Sequence, residues 1–202
     1  MNLKKTALAL MTCMLFLGTW VSTTAAEAQD LHPSRRPSPT GIASTFIGDT
    51  YVKVVYSRPY KRGRDNIFGT EDSGALVPYG KTWRTGANEA TEITLTEDVR
   101  IGDQKLAAGT YSIFTVPGPE SWSVQFNSAL GLSGTGRFDT ETRKFEAVDL
   151  STTEVLTLDA PVATLEDEVD QFTFAFEPGD AGSDLCMRWI TTEVCVPIAA
   201  AE

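Results

Sequence analysis

Six residues suited to ligand chemistry stand within fifteen positions. The string VPYGKTWRTGANEAT, Val77 to Thr91, holds Tyr79, Trp83, Arg84, Asn88, Glu89 and Thr91. Aromatic rings beside a guanidinium, an amide and a carboxylate, on a stretch broken by Gly80 and Gly86, are the usual material of a small-ligand pocket carried on a loop. Arg84 has the forked donor set that grips a carboxylate or phosphate. Asn88 both donates and accepts. Glu89 serves as acid or base if a pocket raises its pKa. The structural alternative has Trp83 anchoring the loop in the core, with Arg84 and Glu89 capping backbone groups or each other.

The charge pattern breaks in the same region. Arg58, Lys61, Arg62, Arg64, Lys81 and Arg84 stand against Asp65, Glu71 and Asp72, a local excess of positive charge in a chain of net charge −10. Such a cluster is either an anion site or a set of internal ion pairs. Tyr56 and Arg58 end an alternating stretch, TYVKVVYSR, and residues two apart on a strand point the same way. The candidate ligand-binding set is therefore Tyr56, Arg58, Arg64, Trp83, Arg84, Asn88 and Glu89, of which Arg58, Arg84, Asn88 and Glu89 are expected to converge at one end of the domain beside Trp83 and Tyr56.

Composition removes other chemistry. His32 is the only histidine, so neither a Ser-His-Asp or Cys-His arrangement nor a multi-histidine metal site can be built. No metal and no cofactor are expected. The string GLSGTGR lacks the Lys-Ser/Thr ending of a phosphate cradle and reads as a flexible loop. The acidic stretch LEDEVDQ reads as a solvated helical turn or loop. Strong negative charge disfavours nucleic acid and anionic lipid as partners.

Strands must position these residues. IASTFI and TYVKVVYS flank Gly48-Asp49 as a hairpin. TYSIFTV and SWSVQFN flank a Pro-Gly-Pro turn, with Trp122, Val124 and Phe126 on one face. QFTFAFE places Phe172, Phe174 and Phe176 on a core stripe. Many short strands at turn-separated intervals predict a mostly β, single-domain antiparallel β-sandwich or jelly-roll-like barrel with long loops and little helix. In LCMRWITTEVCVPI, a turn centred on Ile190-Thr191 sets Cys186 opposite Cys195, Arg188 opposite Glu193 and Met187 opposite Val194. Ile190-Thr191 is a poor two-residue turn, so a four-residue loop with the same centre stays open.

The N-terminus carries an address. Lys4 and Lys5 precede an apolar run from Ala7 to Val21, which ends in small residues and Ala26-Glu27-Ala28. This is the layout of a cleaved secretory signal, with the mature chain starting at Gln29. The run falls short of the ~20 residues that a membrane span needs. Cleavage removes Lys4, Lys5 and Glu27 and moves the net charge to −11. It also leaves Cys186 and Cys195 as the only cysteines, a pair expected to form a disulfide in an oxidising compartment. The chain thus divides into a signal (1–28), a flexible Pro-rich lead (29–41), a β domain (42–198) and a tail (199–202).

YSRPYKRGRDNIFG, LVPYGKTWRTGANEAT, LAAGTYSIFTVPGPESWSVQFN and the closing W-x-x-T-x-V-x-V-P-I together resemble the bacterial exported family known as domain of unknown function 2911. The likeness runs from about Ile42 to Ile198. It implies a periplasmic or secreted β-rich domain and no particular reaction. The signature positions it implies are Arg58, Gly63, Arg64, Trp83, Arg84, Gly86, Asn88, Glu89 and Thr91. Two stretches depart from the family pattern: TEDSGA is longer than the usual link, and GLSGTGRFD replaces a Trp-Gly and a tyrosine.

The expected function is that of an exported, soluble domain, without membrane insertion after signal cleavage. It would bind a small or anionic ligand, or an envelope partner, around WRTGANEAT. A carboxylate-dependent hydrolase or lyase acting on a sugar-like substrate is the first alternative. It requires a second carboxylate near Glu89. A purely structural envelope protein is the second.

Overall fold

The computed structural model describes residues 36–139, 141–180 and 182–201. The signal segment, its cleavage site and His32 lie outside the described residues.

The alternations in the sequence become strands because each hides one face. In β1 (Thr40–Ile47) and β2 (Thr50–Ser57) the predicted hairpin turns at Gly48, whose φ is +58°. Val52, Val54 and Tyr56 of β2 are buried. Two short strands, β3 (Phe68–Gly69) and β4 (Val77–Pro78), pair in parallel. β5 (Thr91–Leu95), β6 (Val99–Ile101), β7 (Gln104–Leu106), β8 (Gly109–Val116) and β9 (Ser121–Asn127) follow. Trp122, Val124 and Phe126 of β9 face inward as expected. β10 (Gly136–Asp139) and β11 (Lys144–Ala147) form a small separate hairpin. Two long strands, β12 (Glu154–Gly179) and β13 (Gly182–Ala200), close the chain. Helix among the described residues is limited to 3-10 turns at Glu71–Ser73 and Leu150–Thr152.

Nine strands form one antiparallel sheet in the order β1-β2-β5-β8-β9-β12-β13-β6-β7. Its bend lies in β12. Glu154–Pro161 pair with β9, whereas Val162–Gly179 pair with β13. The register shifts between Thr164 and Val169, and again between Val169 and Thr173. Extra residues on one strand bend it, and here they carry the sheet over onto itself. The ring of Tyr56 on β2 meets Phe172 and Phe174 of β12 edge-on, with centroids 6.0 and 4.9 Å apart. A large apolar core, from Ile47 to Ile198, fills the space between the two halves. The result is a sandwich joined through a shared strand and open at its edges, β1 and β7. It is not the closed barrel that the sequence left open.

Two further expectations need correction. LEDEVDQ is neither a helical turn nor a loop but the bent middle of β12. The register shifts let its carboxylates face solvent without ending the strand. GLSGTGRFD is not simply a flexible loop, because Gly136–Asp139 within it pair with Lys144–Ala147 as β10 and β11.

The last segment is not the separate hairpin that was expected: both of its halves pair with β12, Met187 opposite Phe174 and Val194 opposite Val162, because β12 offers a full-length partner edge. Cys186 and Cys195 are joined by a disulfide with Cα atoms 4.0 Å apart. Nine residues of extended chain would span roughly 30 Å, so β13 doubles back between them. The turn falls at Ile190, with φ +49°, a conformation that a β-branched residue adopts rarely and at a cost. Arg188 and Glu193 pair across the fold-back. No helix among the described residues is long and apolar enough to cross a membrane.

Candidate functional site

The stretch from Trp83 to Ala90 is held at both ends. The amide of Trp83 donates to Thr115 O at 2.7 Å, and the amide of Thr115 donates back at 2.9 Å, which ties the loop to β8. Between these anchors and β5 the backbone is strained. Thr85 and Asn88 have φ of +53° and +57°, and Gly86 has φ +154°. A Cβ on Gly86 would lie 2.8 Å from Ser57 O, so only glycine fits there. The buried Thr85 is held by a bond from Thr91 Oγ1 to its carbonyl at 2.7 Å and by Thr115 Oγ1 at 3.2 Å. Strain kept in place by surrounding structure is a pointer to function.

Trp83 is half-buried. Its Nε1 donates to Gly86 O at 2.9 Å, and its ring stacks on Trp189. Arg84 is also half-buried, and its Nη1 donates to Asn88 O at 2.8 Å. Gly134 leaves room for this guanidinium, since a Cβ there would lie 3.2 Å from Nη1. The Asn88 side-chain amide donates to Ser38 O at 3.0 Å and to Ser57 Oγ at 3.1 Å. It fastens the loop to the segment leading into β1.

The question of anion site or internal ion pairing divides residue by residue. Lys61 pairs with Glu168 at 2.9 Å and Lys81 with Glu71 at 3.1 Å. The arginines do otherwise. Arg62 donates to Pro37 O and Arg64 to Tyr60 O, each at 2.6 Å. Arg58 donates to Phe172 O at 3.3 Å and to Thr173 Oγ1 at 2.9 Å. Among the described residues, none of Arg58, Arg62, Arg64 and Arg84 has a carboxylate partner.

The seven candidates do not share one cavity. Arg64, Trp83, Arg84 and Asn88 line a cleft of about 280 Å³, walled also by Pro59 and Trp189. A second cleft of about 380 Å³ shares Trp83 and Arg84 and adds Lys81, Thr82 and Ser133. Glu89 and Tyr56 line a third cavity of about 430 Å³, together with Arg36 and Glu92. Arg58 lines none of the three.

Tyr56 and Arg58 point the same way, as strand alternation requires, but what they meet is β12. Tyr56 Oη accepts from the Phe174 amide at 3.0 Å. Pro59 O accepts from the Phe172 amide at 2.9 Å. Along Gln171–Phe174 the backbone groups turned toward β2 are thus satisfied by this end of β2 and its side chains, a clasp between the two halves of the sheet. Burial raises the Tyr56 pKa, against the Phe174 hydrogen bond and the Arg58 charge.

Glu89 is mostly exposed and accepts from Arg36. Burial acts to raise its pKa. The hydrogen bond from Arg36, its own amide and the Arg36 charge outweigh that and hold it below the ordinary 4.5. Glu92 of β5 accepts from the Gly131 amide at 3.0 Å. Cys186, Glu193 and Cys195 form the one grouping of metal-type ligands among the described residues. Its sulfurs are tied in the disulfide and its carboxylate lies on Arg188.

Trp189, Glu92 and Arg36 escaped the sequence reading. Trp189 entered only as the first residue of the closing motif, Glu92 was not singled out, and Arg36 lay in the Pro-rich lead. Only a fold could bring them to the loop.

Fold and site together define a mostly β domain that presents carboxylate-free arginines beside tryptophans on a strained loop. The chain belongs to the DUF2911 family, described as a protein of unknown function, whose profile matches residues 38–198. No curated protein and no solved structure matches the chain significantly.

Proposed function

We propose that the mature domain works outside the cytoplasm as a non-catalytic binding module, gripping an anionic ligand in the cleft of Arg64, Trp83 and Arg84. The observation that carries this reading is the absence of any carboxylate on Arg64 or Arg84 among the described residues, in a chain with 27 acidic residues. Guanidinium groups against an apolar wall favour a bidentate anion, because the ligand meets less competition from water there. Export rests on the signal layout of residues 1–28, and the strong negative charge argues against nucleic acid as a partner.

Calorimetry of the mature chain with citrate, glucuronate and inorganic phosphate at low salt tests the reading. Binding that Arg84→Ala removes, with the melting temperature retained, supports it. A parent protein that takes up none of the three rejects it. N-terminal sequencing of secreted material tests export: Gln29 is expected, and Met1 would refute cleavage.

The hydrolase reading gains one observation, since Glu92 shares a cavity with Glu89. A general acid needs a raised pKa, whereas that of Glu89 is lowered. Binding is therefore the better reading. Turnover of a glycoside that Glu89→Gln abolishes would reverse the order.

A further inference from the structure

We infer that the ligand is an acidic oligosaccharide whose consecutive sugar units occupy the two adjoining lobes on either side of Trp83 and Arg84. This rests on the anion-binding reading and adds to it a chemical class and a length.

The two lobes share one wall and differ in character. The lobe of about 380 Å³ carries the Lys81 ammonium and three hydroxyls, those of Thr82, Ser133 and Thr135. The lobe of about 280 Å³ carries Arg64 against the apolar surfaces of Pro59, Trp83 and Trp189. Arg84 belongs to both. Cations are thus distributed over both lobes, with one held in common.

A compact anion such as phosphate would fill one lobe and leave the cation of the other out of contact with the ligand. A hydroxylated ring with a carboxylate or sulfate on each unit uses every feature. Its hydroxyl edge meets Thr82, Ser133 and Thr135. Its C–H face lies on the half-buried indole of Trp83. Its repeated negative charge meets Lys81, Arg84 and Arg64 in turn. Lys81 is free to exchange partners, because its pair with Glu71 joins two exposed side chains, and such pairs contribute little.

Calorimetry of the mature chain with galacturonic acid, its dimer and its trimer tests the inference. The dimer should bind at least about tenfold more tightly than the monomer, as a second charge-assisted contact implies. The fully methyl-esterified trimer should not bind. Lys81→Ala and Arg64→Ala should each bring the dimer back toward the monomer's affinity. Both residues are exposed, so unchanged thermal melts will show that the fold is retained.

Equal affinity for monomer and dimer would overturn the two-lobe assignment and leave a single-anion site. Binding of citrate or phosphate with no uronate binding would overturn the sugar class while the anion-binding reading stands. Binding of no anion at all would remove both.

Discussion

Trp83 and Trp189 lie nearly parallel, with ring centroids 6.1 Å apart and an interplanar angle of 16°. Trp83 comes from the candidate loop and Trp189 from the last strand, beside the fold-back at Ile190. Phe68, Trp122 and Phe172 pack edge-on around the pair. The wall of the cleft is therefore also a corner of the core, so a ligand that touches Trp83 touches a rigid surface.

Trp189→Ala should cost about 3–5 kcal/mol, the usual range for emptying a fully buried indole. Urea denaturation followed by far-UV circular dichroism reads this directly. A loss below about 1 kcal/mol would mean that the pair contributes little to the core.

Arg58 and Arg84 should separate in opposite senses. Arg58→Ala removes donors to Phe172 O and Thr173 Oγ1 and should destabilise by about 1–3 kcal/mol, leaving ligand affinity nearly intact once the protein is folded. Arg84→Ala should leave stability within about 1 kcal/mol, since it gives up one hydrogen bond to Asn88 O, and should abolish anion binding. Paired denaturation and calorimetry on the two variants check both halves.

Tyr56→Phe leaves the Phe174 amide without its acceptor and should cost about 1–3 kcal/mol. The raised folded-state pKa adds a pH signature. A phenol whose pKa is higher folded than unfolded stabilises fully below the unfolded value near 10, and that contribution fades as pH rises through the folded value. The parent should lose stability above pH 10 more steeply than the Phe variant, as read from melts between pH 8 and 11. Parallel profiles would contradict the assignment.

Glu89 should give the opposite signature. Its carboxyl is held below 4.5 in the folded protein by Arg36. The stabilisation is present above the unfolded pKa and is lost as pH falls through the lower folded value. Glu89→Gln should flatten the acid limb of the melting curve below pH 4.5. An unchanged limb would show that the Arg36 contact does not bear on folding.

The disulfide closes a short loop and should stabilise by about 2–3 kcal/mol. Alkylation of the denatured, unreduced protein should label neither cysteine. Labelling of both would show that the bond is not formed.

Local pattern carried much of this structure. Alternation located β1, β2, β8 and β9 and the inward faces of β2 and β9, and the terminal segment's spacing foretold the disulfide and the Arg188–Glu193 pair, though not that both halves of β13 pair with β12. What sequence left unseen depends on long-range geometry. Bulges within LEDEVDQ have no local signature, because exposed carboxylates look alike on a loop and on a bent strand. The candidate site was read as one cluster because its residues are close in sequence. It divides because the backbone from Thr85 to Asn88 turns Arg84 and Glu89 toward different cavities, and left-handed φ at a threonine is not something composition announces. The clasp role of Arg58 follows from the unpaired edge of β12, visible only once the sheet is folded over.

The strand that serves both halves of the sheet also sets the timing of folding. Until Glu154 and the residues after it are available, β9 has no neighbour on one side and the inward faces of β2 and β9 have nothing to cover them. The core closes only when the C-terminal quarter of the chain arrives, and its contacts then span most of the sequence. Such long-range closure is slow, on the order of milliseconds to seconds. A nascent chain of this protein stays open until almost all of it has been made.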